Sequence, residues 1–568
     1  MKRWTSIAAV TLGTVGLMSA TGIGGVMAKT KPSAAVTVPM FAYQPPYNLA
    51  ENMNTNWFTH YVDKRFHMHI VWNLTNDLAT KQPVLLESGN YPPVIFAGSF
   101  TNSQVLQYAH QGVLIPLNKW IKKYAPNVWR NIQQQPGLKA DTVTPSGNIY
   151  ALPGYNWCYH CDWSAKMWVN GYWLKKLHLP IPTTTAQFTH VLEVFKQHGV
   201  VPLDPYTETG NGAGWHSMGL SFLMDPFIYY DGSSAYPYFD TSANGKQVVF
   251  VPTQPQWRKG LEWIHSLYAK GLIPPGFVSQ PWTAVEKLVI QNKVGMVPNG
   301  ALGLTPQDWK YWEQVVPPLR GPSGVQWSSF YGNQPSGATF AVTNKAKPAQ
   351  IIATMRLLNF LDTPVGAEME DFDPKGQYWT YAKKGQTDLL GQQALFNSNK
   401  GWLRFYSSTK LQNVAWGQFG PNDQGYRWRN GQVASSPFGF NGYQEILQYF
   451  TESVMAGHQP HYVFPGALWL PPSQVQQFSL NTTNITDYVQ QWTDDFIVGT
   501  KSLTKDWATY VQGLQHLGLS QYVGTAQKYM RHPFNTQQKD FAPSPADVKA
   551  LLSLPVSKAD TQWRVKEP

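Results

Sequence analysis

The segment 145–185 constrains the fold of this chain more than any other stretch, because it sets a strand, an aromatic cluster and a helix in a fixed order. A turn at Pro145-Ser146-Gly147 precedes a short apolar strand that ends at Pro153. Six aromatic or cysteine positions follow, then an amphipathic helix, and then a loop rich in proline and threonine that begins another helix. Aromatic rings directly after a strand offer flat faces on which a sugar can stack. The segment therefore bears on both fold and ligand.

Strands and helices alternate through the first part of the chain. The pattern predicts strands at Ala35–Tyr43, His67–Leu74 and Val94–Ala97 and helices at Asn54–Arg65, Lys81–Glu87 and Ser103–His110. Such alternation is typical of an α/β lobe. Further helices are predicted at 183–198, Pro255–Lys270 and Pro348–Leu361, further strands at Val294–Val297 and Thr339–Thr343, and a helical region from Thr500 onward. We expect residues 199–250, which show little periodicity, to form exposed loops.

The first 28 residues resemble an export signal. Lys2 and Arg3 form a positive region, Ile7–Met18 is mostly apolar, and Val26-Met27-Ala28 suits a signal peptidase. An uncleaved membrane anchor is the alternative, but the apolar run is short and we expect cleavage after Ala28. No cysteine for lipid attachment lies near that site. We therefore expect a secreted or cell-surface protein.

Charge gives a second indication of the environment. Only 14% of the residues are charged, against about 25% in an average protein. The net charge of +11 falls to +9 once Lys2 and Arg3 are removed, and it reflects few carboxylates rather than a basic run. Nucleic acid is therefore not an expected partner. A protein with few carboxylates also loses little folding stability when they are protonated at low pH. We therefore hypothesise that this protein works in an acidic exterior.

Cys158 and Cys161 are the only cysteines. In an exported chain such a C-x-x-C pair predicts a local disulfide. A redox site is an alternative, although no thioredoxin-like pattern surrounds the pair. A metal site that adds His160 and Asp162 is another, but it offers few well-spaced ligands, so we expect no metal.

Several segments, in order, resemble the family 1 extracellular solute-binding proteins of carbohydrate ABC importers, above all the large oligosaccharide receptors of Gram-positive bacteria. The resemblance covers nearly all of the mature chain. Pro93 stands where the family usually has aspartate, the lipid-attachment cysteine is absent, and the stretch after 198 lacks the carboxylates of a calcium loop. The matching segments are PVLLESGNYPPVIF (83–96), QGVLIPLNKWIKKYAPNVWRNI (111–132), SGNIYALP (146–153), MWVNGYWLKKLHLPIPTTTAQFTHVLEVFK (167–196), WIHSLYAKGLIPP (263–275), KVGMVPNG (293–300) and DFIVGTKSLTKDWATYVQGLQHLGLSQYV (495–523).

The resemblance implies a two-lobed α/β fold of the periplasmic-binding-protein type (type II), with hinge crossings and a helical C-terminal region. It implies a first lobe of 29–155 and 335–400 and a second lobe of 156–334 and 401–568. The ligand would lie between the lobes and be delivered to an ABC permease. We expect a monomer that needs no cofactor.

Aromatic and amide residues in irregular segments after strands are the candidates for binding an oligosaccharide, because sugars need flat faces and hydrogen-bonding partners. Most of the 24 tryptophans should simply pack in cores. For Trp215 and His216, a surface loop without contacts is an equal alternative. The candidates are Asn54, Phe100, Asn102, Tyr155, Asn156, Trp157, Trp215, His216, Trp327, Tyr331, Asn333 and Trp379.

Two other functions stay open. A glycoside-active enzyme needs a pair of carboxylates across a sugar bond, yet Glu193, Glu262, Asp494 and Asp495 lie in no catalytic motif. We therefore expect no enzyme activity. The second alternative is a receptor of the same fold for peptides or for a sensor kinase. A peptide receptor would be expected to offer charged groups for the termini, and this chain has few charges.

Overall fold

The computed structural model describes the chain in segments, and the contacts below all lie within the compact unit Val36–Pro568. The described residues are 34–44, 50–134, 136–156, 159–207, 214–302, 312, 314–331, 338–372, 375–388, 391–398, 411–417, 419–421, 423–424, 431–435 and 443–536.

The first sheet has five strands in the order β2-β1-β3-β12-β4. The strands β1, β2 and β3 are parallel, whereas β12 runs antiparallel to both of its neighbours. The carboxyl ends of β1 to β4 and the start of β12 therefore meet at one side, which we call the crossing edge. The strands are β1 (Val36–Tyr43), β2 (Met68–Thr75), β3 (Val94–Ala97), β4 (Ala151–Pro153) and β12 (Ala338–Val342).

The first three helices around the first sheet begin at side-chain caps. Asn56 and Asp77 cap the first two, and Thr101 forms a capping box with Gln104 at the third. The predicted strands and helices of this region are confirmed to within three residues at each end. The helices are α1 (Trp57–Phe66), α2 (Leu78–Glu87), α3 (Asn102–His110), α4 (Asn118–Tyr124), α5 (Pro126–Gln134), α6 (Pro136–Thr142), α12 (Pro348–Leu361) and α13 (Pro364–Phe372).

The second sheet has four strands in the order β11-β6-β10-β7 and a core of its own. Asn170 caps α7 and donates from its amide to Val294 O, so it braces the helix against this sheet. The elements are β6 (Met167–Val169), β7 (Val201–Leu203), β10 (Val294–Pro298), β11 (Val315–Val316), α7 (Gly171–Lys176), α8 (Thr185–Gln197), α9 (Leu220–Met224), α10 (Pro255–Ala269) and α11 (Trp282–Ile290).

The expectation of exposed loops at 199–250 is wrong for most of the described part. Trp215, Tyr230 and Tyr238 are buried, and the rings of Tyr230 and Trp257 of α10 meet edge to face at 5.0 Å. Aromatic residues bury large apolar areas without needing a regular repeat, so the absence of periodicity did not indicate exposure. A π-helix at Trp215–Gly219 and the short strands β8 (Phe239–Thr241) and β9 (Val248–Phe250) carry these rings.

The C-terminal helical region begins earlier than Thr500. A 27-residue helix, α15, packs Ile485 and Val489 into the core of the second sheet. In the described part of the chain, no helix has the length and apolarity to cross a membrane. The helices are α14 (Tyr443–Phe450), α15 (Pro472–Val498), α16 (Trp507–His516) and α17 (Leu519–Tyr529), with a second π-helix at Thr451–Met455.

Short strand pairs complete the structure: β5 (Tyr155–Asn156) with β15 (Asp423–Gln424), β13 (Thr380–Tyr381) with β14 (Phe396–Asn397), and β16 (Tyr462–Val463) with β17 (Phe534–Asn535). Trp416 and Phe419 pack in the core of the first sheet. Both residues follow residue 400, where the first lobe was expected to end, and the lobe boundaries stay a prediction.

Candidate functional site

Three chain segments pass between the two cores at the crossing edge. The first leaves β4 at Pro153 and continues as β5. The second enters β12 at Ala338, which exchanges two backbone hydrogen bonds of 2.8 and 2.9 Å with Phe100. The third brings β15 alongside β5, in parallel. A cleft between two lobes is formed where such segments meet, so this edge is the candidate site.

Gly420 allows the segments to approach each other, and Gly154 lies beside the same point. Gly420 has a φ of +98°, and a Cβ at this position would lie 2.2 Å from the ring of Phe96. Only glycine combines this backbone conformation with this contact. A Cβ at Gly154 would lie 3.6 Å from Thr339 Oγ1 and 4.0 Å from Gly420 O. Thr339 therefore lies where all three segments meet.

Two buried polar atoms at this edge have no hydrogen-bond partner among the described residues: Thr339 Oγ1 and Asn102 Nδ2. Asn102 opens α3 directly after the bridge between Phe100 and Ala338. Leaving a buried polar group unpaired costs about 1–3 kcal/mol. These two atoms are therefore suited to bind hydroxyl groups of a ligand.

The predicted residues Asn54 and Phe100 have structural partners. Asn54 Oδ1 accepts a hydrogen bond of 3.0 Å from Trp72 N, which satisfies a donor of the edge strand β2. The Phe100 ring is buried and packs against Tyr108 with centroids 6.2 Å apart. Phe100 thus positions the second crossing through its backbone.

Trp215 and His216 both contact Asp494 of α15. Trp215 Nε1 donates to Asp494 Oδ1 at 3.0 Å, and His216 Nε2 lies 3.0 and 3.1 Å from the two carboxylate oxygens. Only 1% of Trp215 is exposed, and its ring packs edge to face on Phe277. The alternative of a surface loop without contacts is therefore wrong. The cluster joins the π-helix to the C-terminal region.

Trp327 is the only exposed tryptophan in the described ranges, with 36% of its surface accessible. Its backbone nitrogen donates to Asp225 O at 3.3 Å, and Asp225 Oδ2 accepts from Ser329 N and Ser329 Oγ at 2.7 and 2.8 Å. Burial raises the pKa of Asp225 to about 8. Further along, Tyr331 N donates to Asp162 O at 2.7 Å. The segment leading into the second crossing is therefore held rigidly, with one ring exposed.

Trp379 lies in a separate small cluster. It is buried and meets Tyr381 and Phe396 edge to face, each at 5.4 Å. Its ring is therefore not accessible to a ligand in this structure. Of the other predicted residues, Tyr155 and Asn156 are described by their backbone alone, and Trp157, Asn333 and Cys158 lie outside the described residues. The disulfide between Cys158 and Cys161 stays a prediction.

Trp163 and Lys166 at the first crossing were missed by the sequence interpretation. The Trp163 ring lies 5.2 Å from Tyr159 and 4.6 Å from Phe330 of the second crossing. Lys166 Nζ donates to His160 O and Trp163 O at 2.8 and 2.5 Å, and burial lowers its pKa to about 7. A lysine in an aromatic stretch gives no sequence signal of burial, so no pattern in the sequence indicated that Lys166 is buried at the first crossing.

The four carboxylates considered for catalysis are engaged elsewhere. Glu193 pairs with Lys270 at 2.7 Å, Glu262 pairs with Arg258 at 3.3 Å, and Asp494 binds His216. Asp495 Oδ1 accepts from Thr500 Oγ1 at 2.7 Å. Within the described segments, no group of three or more His, Cys, Asp or Glu residues is arranged to hold a metal ion.

Comparisons with known proteins agree with this architecture. The chain is 24% identical over 487 residues to the fructooligosaccharide ABC transporter substrate-binding protein FusA of Streptococcus pneumoniae serotype 4, covering 82% of this chain and 85% of that one. The structure of FusA in complex with kestose matches with a TM-score of 0.69 and 19% identity, over 87% of this chain and 98% of that chain. The structure of an HMO-binding, ABC-transporter-associated solute-binding protein from Bifidobacterium longum infantis matches with a TM-score of 0.68 and 17% identity, over the same shares of the two chains.

These matches confirm the two-lobed α/β fold class. The family model for the bacterial extracellular solute-binding protein matches residues 55–368, which is more than half of the chain. This chain therefore belongs to the bacterial extracellular solute-binding protein family.

Proposed function

We propose that this protein is the receptor of a carbohydrate ABC importer, which captures an oligosaccharide at the crossing edge and delivers it to a membrane permease. Membership of the family supports the receptor role. FusA is described as the substrate-binding protein of a fructooligosaccharide ABC transporter and as a complex with kestose, which supports an oligosaccharide as the ligand. The export signal, the monomeric state and the lobe boundaries are part of the same proposal.

The unpaired polar atoms at the crossing edge carry the proposal. Asn102 Nδ2 is a donor and Thr339 Oγ1 can donate or accept, which suits the hydroxyls of a neutral sugar. Trp327 supplies an exposed ring for a sugar face, if closure of the lobes brings it to the same ligand. Hinge closure around the ligand would complete the site.

Binding without chemistry is the function that this arrangement supports. The four carboxylates considered for catalysis are tied to Lys270, Arg258, His216 and Thr500, so none of these four is free to act as an acid or a nucleophile. A peptide receptor would need charged partners for the two termini. The polar atoms identified at the crossing edge are instead an amide and a hydroxyl.

A thermal-shift screen tests the proposal, because a ligand that binds only the folded state adds about 2.7 kcal/mol of stability at a hundred times its Kd. The panel holds fructooligosaccharides, milk oligosaccharides, acidic oligosaccharides and peptides. We expect a neutral oligosaccharide to raise the Tm and to be recovered unchanged. Recovery of cleaved sugar would establish an enzyme instead, and a shift with peptides alone would establish a peptide receptor.

A further inference from the structure

We propose that one face of the first lobe binds the surface of an anionic lipid membrane, independently of the sugar site. The basic face is formed by four helices, α1, α4, α5 and α12, with α12 packed against the other three. It contains none of the candidate ligand residues. Five of its seven cations lie against half-buried aromatic rings.

Three lysines of α4 lie over rings of the same face. Lys119 Nζ is 5.1 Å from the centroid of Trp120, and Lys123 Nζ is 5.3 Å from that of Tyr124. Lys122 Nζ reaches across to Trp129 of α5 at 4.5 Å. Each ring is half-buried and packs on the core of the first sheet, so the cations are held beside exposed ring edges.

The same arrangement continues over α12 onto α1. The Arg356 guanidinium lies 5.9 Å from the Tyr124 centroid, which links α4 to α12. One turn further along α12, Phe360 lies 4.7 Å below the guanidinium of Arg65 of α1. The Tyr61 and Phe360 rings are 6.1 Å apart. Contacts between cations and rings thus occur on α4, α12 and α1 of this face.

The charge of this face is strongly one-sided. The four helices carry seven lysines and arginines and one carboxylate, Asp63. Asp63 is already engaged, since Oδ1 accepts from Ile70 N at 2.9 Å and Oδ2 lies 3.2 Å from His69. Asp362, at the end of α12, accepts from Asn131 at 2.9 Å. None of the seven cations forms an ion pair with a carboxylate of the described residues.

A membrane fits this face better than a linear polyanion does. Tryptophan and tyrosine beside lysine favour the lipid headgroup region, where the ring rests at the apolar boundary and the ammonium faces phosphate. Lysines near an anionic surface contribute additively to binding. The cations are spread over the width of four helices instead of following one groove, which suits an extended planar partner.

Vesicle co-sedimentation tests the proposal with the chain from Lys29 onward, so that the predicted export signal cannot insert. The probes are phosphatidylglycerol vesicles and phosphatidylcholine vesicles, at low and at physiological salt. We expect binding to the anionic vesicles only, weakening as salt screens the charges. The variant K119Q/K122Q/K123Q should bind them about tenfold or more weakly.

The matched control is K175Q/K176Q/K528Q, which removes three lysines elsewhere. Lys176 and Lys528 also lie over rings, Trp173 at 4.7 Å and Tyr529 at 5.4 Å. The control should stay within twofold of the parent. Equal losses in both variants would show that net charge alone acts, and tighter binding to soluble heparin than to vesicles would show a polymer site; either result overturns the proposal. Both variants should keep the sugar-induced Tm shift, so the two proposals can fail separately.

Discussion

At the scale of single residues, replacing the hydroxyl of Thr339 tests whether the crossing edge binds a ligand or merely leaves a polar atom unpaired. Thr339→Val removes a polar atom that has no partner among the described residues, so we expect unchanged or slightly higher stability without sugar. Sugar affinity should fall by roughly 5- to 30-fold, the equivalent of about 1–2 kcal/mol. Denaturant unfolding and calorimetry measure the two effects.

Thr354→Val is the control, because Thr354 is a buried threonine of α12 whose Oγ1 has a partner and donates to Gln350 O at 2.8 Å. It should lose up to about 1 kcal/mol of stability and no affinity. If Thr339→Val binds sugar like the parent, its hydroxyl is not part of the site.

Two tryptophans that look alike in the sequence should behave oppositely. Trp327→Ala removes an exposed ring, so we expect the free energy of unfolding to change by less than about 1 kcal/mol and the sugar affinity to fall by about threefold or more. Trp379→Ala removes a ring packed between Tyr381 and Phe396 and should cost about 3 kcal/mol or more. Urea unfolding and calorimetry on both variants check this, and a Trp327 variant with full affinity would remove that ring from the proposed site.

The sequence could identify polar and aromatic candidates but not their partners. Trp215 and Trp327 both follow irregular, glycine-containing stretches, and only the fold shows that one donates to Asp494 and the other is exposed. That first contact spans 279 positions. Partners so distant in the chain depend on how the elements of the second lobe pack together, which a local pattern does not encode.

At the scale of elements, the reliable predictions had local causes. Helix α12 begins at Pro348 and ends at Leu361 as predicted, because a proline opens it and an apolar stripe follows. The 27-residue helix α15 was missed. Its centre, Ser479–Asp487, is rich in Asn, Thr and Ser, which disfavour helices. Packing of Phe478, Ile485 and Val489 against the second core outweighs that preference.

The crossing at Gly420 gives a prediction about an element. Gly420→Ala adds a Cβ at a φ of +98° and 2.2 Å from Phe96, so we expect a loss of about 2 kcal/mol or more. Gly154→Ala adds a Cβ whose nearest neighbour is 3.6 Å away, and it should cost less than about 1 kcal/mol. Denaturant midpoints of the two variants measure the difference, and equal costs would contradict the close approach of the third segment to β3.

At the scale of the whole molecule, buried carboxylates set the dependence of stability on pH. Burial raises the pKa of Asp225 and Asp141 to about 8, of Asp240 and Glu445 to about 7, and of Asp231 to about 6. A carboxyl whose pKa is higher in the folded chain contributes its full stability below its unfolded pKa near 4, and the contribution is lost as the pH rises through the folded value. Lys166, with its pKa lowered to about 7, adds stability only as the pH rises above that value. Between pH 4 and 7 the acids dominate, so stability should fall as the pH rises.

Glu445 provides the sharpest test of this expected acid stability. In the parent, Glu445 Oε1 accepts a hydrogen bond of 2.8 Å from Ser435 N. Glu445→Gln keeps an oxygen acceptor for this nitrogen and removes the charge that forms near pH 7. The free energy of unfolding of the variant should equal that of the parent at pH 4. At pH 8 it should be greater by about 1–3 kcal/mol, since each pKa unit corresponds to about 1.4 kcal/mol. Glu262→Gln, at a partly exposed ion pair with Arg258, should shift stability by less than about 0.5 kcal/mol at both pH values. Urea unfolding from pH 4 to 8 measures all three proteins. A parent that loses stability steeply below neutral pH would contradict both this account and the hypothesis of an acidic exterior, because protonating these buried acids should favour the folded state.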